Sequence, residues 1–126
     1  MTVESVGSFT VSGAGDNSQY APTITDVGTN GFAVAWGEQS NIQGEVFNKN
    51  GESKGLFTGI GTEFNSQSNP AITGLENDKF SVVWEEINVM RGEIFTGNGE
   101  SISSLTILNN SNNKQKNHDI THFGSG

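Results

Sequence analysis

Shifted by 48 residues, the chain matches itself: residues 17–53 align with 65–101 without a gap, and 17 of the 37 positions are identical. Asn17-Ser18-Gln19 falls on Asn65-Ser66-Gln67, and Pro22-Thr23-Ile24-Thr25 falls on Pro70-Ala71-Ile72-Thr73. Phe32, Val34, Trp36 and Glu38 fall on Phe80, Val82, Trp84 and Glu86. Gly44-Glu45-Val46-Phe47 meets Gly92-Glu93-Ile94-Phe95, and Asn50-Gly51-Glu52-Ser53 meets Asn98-Gly99-Glu100-Ser101. The register runs past both ends. Phe9-Thr10 precedes Phe57-Thr58 by the same step, and Asn113, Gln115, Ile120 and Thr121 follow Asn65, Gln67, Ile72 and Thr73. The 126 residues therefore read as a single repeat domain: the end of one unit at 1–16, units at 17–64 and 65–112, and the start of a further one at 113–126. Repeats of roughly 40–50 residues are supersecondary pieces that bury their apolar faces by stacking, in open arrays or closed rings.

Inside each unit the apolar pattern has period two, the mark of strands. Phe32-Ala33-Val34-Ala35-Trp36 and Phe80-Ser81-Val82-Val83-Trp84 put aromatic and β-branched residues on one face. The other face carries small or apolar residues, which predicts cover on both sides. Four strands are expected per unit, at 20–27, 32–38, 42–48 and 53–58, with copies 48 residues later. Asn30-Gly31 predicts a two-residue hairpin between the first and second strands, with Asp78-Lys79 in its place in the second copy. Asn50-Gly51 and Asn98-Gly99 turn the third strand into the fourth. Glycine, asparagine and serine supply 46 residues against two prolines, a composition suited to many tight turns. No segment carries a capped helical stripe. The fold class is all-β, built from four-stranded antiparallel blades.

Four short antiparallel strands in 48 residues is the size of a β-propeller blade. The succession P-x-I-T, F-x-V-x-W, G-E-[VI]-F and N-G-E-S resembles the propeller-type blade repeats of large bacterial secreted and surface proteins. That resemblance spans nearly the whole chain and implies a β-propeller-like partial ring with a secreted or cell-surface location. It implies no particular activity, since blades serve lectins, adhesins and enzymes alike. A two-sheet β-sandwich or prism made from the same repeats is the alternative. Two features depart from the pattern: His118 stands where proline is expected, and rings take roughly four to eight blades. Open strand edges invite pairing with another chain. The expected remedies are a homo-oligomer completed through the incomplete end units, or a place within a longer parent protein.

Charge narrows the partners. Six basic against 14 acidic residues give a net charge of −8, which repels phosphate backbones and anionic lipid. Nucleic acid is not an expected partner. No apolar run approaches the roughly 20 residues of a membrane span, and MTVESVGSF lacks a basic-then-apolar leader pattern. Cysteine is absent, which excludes disulfides and thiolate chemistry.

The repeated Trp36 and Glu38, with Trp84 and Glu86, are the foremost candidate site. An indole beside a carboxylate suits a sugar, the ring covering C–H faces while the acid accepts hydroxyl hydrogen bonds. Repetition would multiply weak sites into avidity. The same residues also suit packing between blades, because Phe32, Val34 and Trp36 share a face. Glu45 and Glu93 share parity with Phe47 and Phe95, and are expected to face a ligand or to pair with Arg91, Lys54 or a backbone amide. Arg91 and Tyr20 complete the candidate set. Glu85 and Glu86 are adjacent on one strand, so they point to opposite faces and cannot flank one glycosidic bond.

Three further features read as plain structure. Asn48–Glu52 and Thr96–Glu100 faintly resemble calcium loops but lack aspartates, and Asn-Gly alone explains a turn. His118 and His122 make an incomplete metal site, and no Ser-His-Asp set can be assembled around them. Gly13–Gly15 and Gly59–Gly61 are glycine-rich loops without a following helix. No catalytic residues and no cofactor are expected. Two functions stand: a non-enzymatic lectin- or adhesin-like module binding carbohydrate at repeated blade sites, or a structural self-assembling or spacer repeat without a small-molecule ligand.

Overall fold

The computed structural model describes residues 5, 7–11, 18–29, 31–58, 66–87 and 89–109. The histidine pair, both glycine-rich loops and the unit beginning at 113 lie outside these residues. Eight strands follow in order: β1 (Gln19–Val27), β2 (Gly31–Glu38), β3 (Asn41–Asn48), β4 (Ser53–Thr58), β5 (Ser68–Leu75), β6 (Lys79–Glu86), β7 (Val89–Phe95) and β8 (Ser101–Asn109). They form two four-stranded antiparallel meanders, β1-β2-β3-β4 and β5-β6-β7-β8, one for each full repeat. Among the described residues no helix is long and apolar enough to cross a membrane.

The sheets stack face to face, with the closest backbone approach between β1 and β5. Alternation explains which side chains meet there. On β2, Ala33 and Ala35 face the second sheet, together with Ile42, Val46 and Phe57. They meet Ile72, Phe80, Val82, Trp84 and Phe95, the large residues of the opposite parity on the facing sheet. Small against large keeps two sheets near the usual spacing of about 10 Å. Within the first sheet, Gly44 makes room for the Phe57 ring opposite it on β4, since a Cβ there would lie 2.0 Å from that ring.

The repeat also holds at the level of aromatic geometry. Phe57 sits 5.1 Å from Phe80 and 4.7 Å from Phe95, and the latter two stack at 5.2 Å. Phe9 sits 5.1 Å from Phe32 and 5.0 Å from Phe47, which stack at 5.1 Å. Phe9 thus occupies, against the first sheet, the position Phe57 occupies against the second. Separations in this range suit tilted and offset ring pairs.

The turns differ from expectation in one place. Val27 pairs with Gly31 and Leu75 with Lys79, so the first hairpins are three-residue loops and not Asn30-Gly31 or Asp78-Lys79 turns. Gly28, Asn77 and Asp78 take the positive φ angles that these loops need. Gly31 belongs to β2, where a Cβ would lie 2.1 Å from the Phe47 carbonyl oxygen. The second hairpin is the two-residue kind, Glu38 pairing with Asn41 while Gln39 and Ser40 take φ of 48° and 66°. Asn50-Gly51 and Asn98-Gly99 do turn the third strands, with Gly51 at φ 83° and Gly99 at φ 87°. The Asn48 side-chain oxygen accepts the amides of Asn50 and Glu52 at 2.9 and 3.0 Å. Thr96 Oγ1 does the same for Asn98 and Glu100.

Both first strands bulge before their proline, with Ala21 and Asn69 each at φ 51°. Asparagine tolerates this left-handed conformation and alanine does not. Ala21→Asn is therefore expected to stabilise the fold by about 0.5–1 kcal/mol, part of the roughly 1–2 kcal/mol the region costs an ordinary residue. A denaturant midpoint that stays level or falls would refute the strain.

Candidate functional site

Tryptophan and glutamate two residues apart on a strand share a face at neighbouring positions. A buried indole needs an acceptor for its N–H. Trp36 Nε1 donates to Glu38 Oε2 at 3.1 Å, and Trp84 Nε1 donates to Glu86 Oε1 at 3.2 Å. The W-x-E spacing is thus a self-contained hydrogen-bonded pair in both repeats.

In the second repeat the pair grows into a chain of contacts between sheets. Glu86 Oε1 also accepts from Gln67 Nε2 at 3.3 Å, and Glu86 Oε2 accepts from Arg91 Nε at 2.9 Å. Arg91 reaches it because it stands opposite Trp84 across the β6–β7 ladder. Gln67 then crosses to the first sheet: its Oε1 accepts from the Ile42 backbone amide at 2.9 Å, and its backbone N–H donates to the Ser40 carbonyl at 2.7 Å. The β2–β3 turn is thereby tied to an ion pair on the neighbouring sheet. Nearer the closest strands, the Gly74 amide donates to Thr25 Oγ1 at 2.9 Å.

Six of the eight candidate residues are enclosed. Trp84, Glu45 and Glu93 are 0% exposed, and Trp36, Glu38 and Glu86 are 3% exposed. The Arg91 side chain keeps 28% of its surface, and Tyr20 keeps 38%. The structure brings Trp84, Glu86 and Arg91 into one cluster. It holds Trp36 and Glu38 in a separate one on the outer face of the first sheet, with Val34, Phe47 and Val11 close by. Tyr20 lies across Gly37, whose Cβ would meet the phenol ring at 2.1 Å, and its hydroxyl donates to the Gln67 carbonyl at 3.4 Å. Glu85 turns to the other face, where Asn69 Nδ2 donates to it, so the two adjacent carboxylates do lie apart.

Gln67 escaped the sequence reading. It recurs with Gln19 and Gln115 at the 48-residue step, but nothing in its surroundings there marks it as the residue that spans two sheets. Among the described residues no group of three or more acids and histidines is placed to hold a metal ion.

Open volume lies on the outer face of the first sheet. A cavity of about 160 Å³ is bounded by Val11, Gln19, Pro22, Val34 and Trp36. A wider one, about 550 Å³, is bounded by Phe9, Ile24, Thr25, Asp26 and Phe32. Comparison with protein-family models, with curated proteins and with solved structures finds no match to this chain.

Proposed function

We propose that the chain is a structural, non-enzymatic repeat of propeller-blade type, whose task is to stack sheets in fixed register within a secreted or surface assembly. The observation that carries this reading is the Trp84–Glu86–Gln67 connection to the turn at Ser40 and Ile42. Its members are among the residues the two repeats share, and each is used inside the fold. Glu86, already engaged by an indole, a guanidinium and an amide, has little left to offer a sugar hydroxyl.

Gln67→Ala tests it. The substitution strands the Ile42 amide and leaves one acceptor position on Glu86 Oε1 unfilled in buried surroundings, each such group costing about 1–3 kcal/mol. Unfolding by urea is expected to shift to lower midpoint by a corresponding amount. Unchanged stability in this variant would overturn the reading.

Carbohydrate recognition is the second proposal, and one feature favours it: Trp36 forms a wall of the small apolar cavity beside Pro22 and Gln19. A panel of neutral oligosaccharides, titrated calorimetrically, separates the two. Saturable binding that Trp36→Phe weakens at unchanged melting temperature supports recognition.

A further inference from the structure

The two repeats serve as each other's control. Ile72 is 7% exposed and Ile24 is 60% exposed, although they hold the same place in their sheets. Pro70 is buried and Pro22 exposed; Phe80 is fully buried and Phe32 half-buried. Residue type does not differ at these three places. What differs is the cover: β1, β2 and β3 lie over the second sheet near β5, and among the described residues only the segment carrying Phe9 and Val11 reaches the outer face of the first.

That segment shows what belongs beside it. Phe9 packs on Phe32 and Phe47 as Phe57 of β4 packs on Phe80 and Phe95. The match extends to the nearby turn. A Cβ at Gly51 would lie 3.4 Å from the Phe9 Cβ, and one at Gly99 would lie 3.7 Å from the Phe57 Cβ. Residues 7–11 therefore hold the place of a fourth strand against the first sheet. β4 is laddered to β3, whereas residues 7–11 pair with no strand among the described residues. The sheet thus carries the position of a fourth strand beside an open strip of the size and character that three more strands cover in the other repeat.

We propose that this strip is the seat of a further unit of the same repeat, lying ahead of residues 7–11 in a longer polypeptide and using them as its last strand, an inference that rests on the stacking role above. The first three strands of that unit cover Pro22, Ile24 and Phe32 with small inward residues, as Ala33 and Ala35 meet Ile72 and Phe80. A folded second copy has no such face to give. The inward face of its first sheet lies against its second sheet, and on the second sheet Ala71, Thr73, Ser81 and Val83 are already buried. One position differs across the two seams. Asp26 stands where the second repeat has Gly74, and a Cβ at Gly74 would lie 2.4 Å from the Asp26 carbonyl oxygen. The incoming first strand accordingly stands further off at Asp26 than β1 stands from β5 at Gly74.

The chain has no cysteine, so single introduced thiols report the cover directly. A second copy of residues 17–51 is joined ahead of Glu4, which keeps the register because Glu4 precedes Glu52 by the repeat step. Ile24→Cys, at the original position, is expected to react with a maleimide about tenfold more slowly or less in the extended chain than in the parent. Leu56→Cys is the control: its counterpart Ser104 stays exposed in the covered sheet, so equal rates are expected in the two chains. Equal rates at Ile24→Cys would overturn the proposal. Equal slowing at both positions would overturn it too, since an unspecific cover does not distinguish them. Protection of Ile24→Cys in the parent that grows with protein concentration would place a second copy on the strip instead. Gln67→Ala in the parent reads the stacking role whatever the extended chain does, so the two ideas fail separately.

Discussion

Trp84→Ala is expected to remove about 3–5 kcal/mol of unfolding free energy, the range for deleting a fully buried large aromatic. Trp84 is the largest of the fully buried side chains, and its ring lies in the cluster that draws on both sheets. Alanine would leave a cavity facing Ala33 and Ala35, which are already too small to collapse into it. It would also strip Glu86 of the indole donor. Trp84→Phe lessens the first loss, since a six-membered ring stays in place with a smaller void beside it, and removes the N–H entirely. The phenylalanine variant is expected to lose about 1–3 kcal/mol, the lost hydrogen bond and the smaller void together. Guanidinium unfolding followed by far-ultraviolet circular dichroism measures both. If Trp84→Ala unfolded within 1 kcal/mol of the parent (about fivefold in the equilibrium constant), the ring would not be the wedge between the sheets.

How much of this was visible in the amino-acid sequence depends on which physical cause was at work. Strand positions came through because period-two alternation is strong in Phe32–Trp36 and Phe80–Trp84, and the expected 20–27 and 32–38 differ from β1 and β2 by one residue at their starts. The Asn-Gly dipeptides show the limit. At Asn50-Gly51 the glycine supplies a positive φ, but Gly31 is needed because the Phe47 carbonyl crowds its Cα. A dipeptide cannot say which of those demands it answers. Gln39-Ser40 turns a hairpin without any of the usual turn glycine or asparagine, because the flanking ladders of β2 and β3 force it.

The candidate site was legible as a pairing and illegible as an environment. W-x-E places an indole next to a carboxylate whether the face looks to water or to another sheet, so the spacing alone does not choose between a sugar platform and a core contact. The choice rests on what lies opposite, and that depends on long-range stacking of one repeat on the next. Glu45 and Glu93, fully buried, carry the same lesson: their parity with Phe47 and Phe95 suits a ligand-facing acid as well as an internally paired one, and only the neighbours enclose them. The repeat itself held the missing clue. Ala33 and Ala35, small residues at inward positions, are what a large facing ring requires.

Glu86→Ala is expected to cost about 3 kcal/mol, the lower end for breaking a buried ion pair from one side. The carboxylate takes Trp84 Nε1 and Gln67 Nε2 on one oxygen and Arg91 Nε on the other, so its removal deprives three donors at once. The indole and the Gln67 amide lie where water does not reach, and each loss there falls at full cost. Arg91 differs, because 28% of its side chain is open and the guanidinium can turn to solvent. Arg91→Gln leaves the enclosed Glu86 carboxylate without its cation but offers an amide donor in its place, and is accordingly expected to cost less than Glu86→Ala, about 1–2 kcal/mol. The first repeat supports that ordering: Gln43 stands opposite Trp36 as Arg91 stands opposite Trp84, and Glu38 still accepts its indole hydrogen bond. The ion pair is thus an addition to the Trp–Glu contact and not its foundation. Urea unfolding of Glu86→Ala, Arg91→Gln and the double variant measures the coupling. A double variant no worse than Glu86→Ala would place Arg91 wholly in service of Glu86. If Arg91→Gln alone matched the loss of Glu86→Ala, the charge pair would outrank the indole and the amide, and the order of contacts argued above would be reversed.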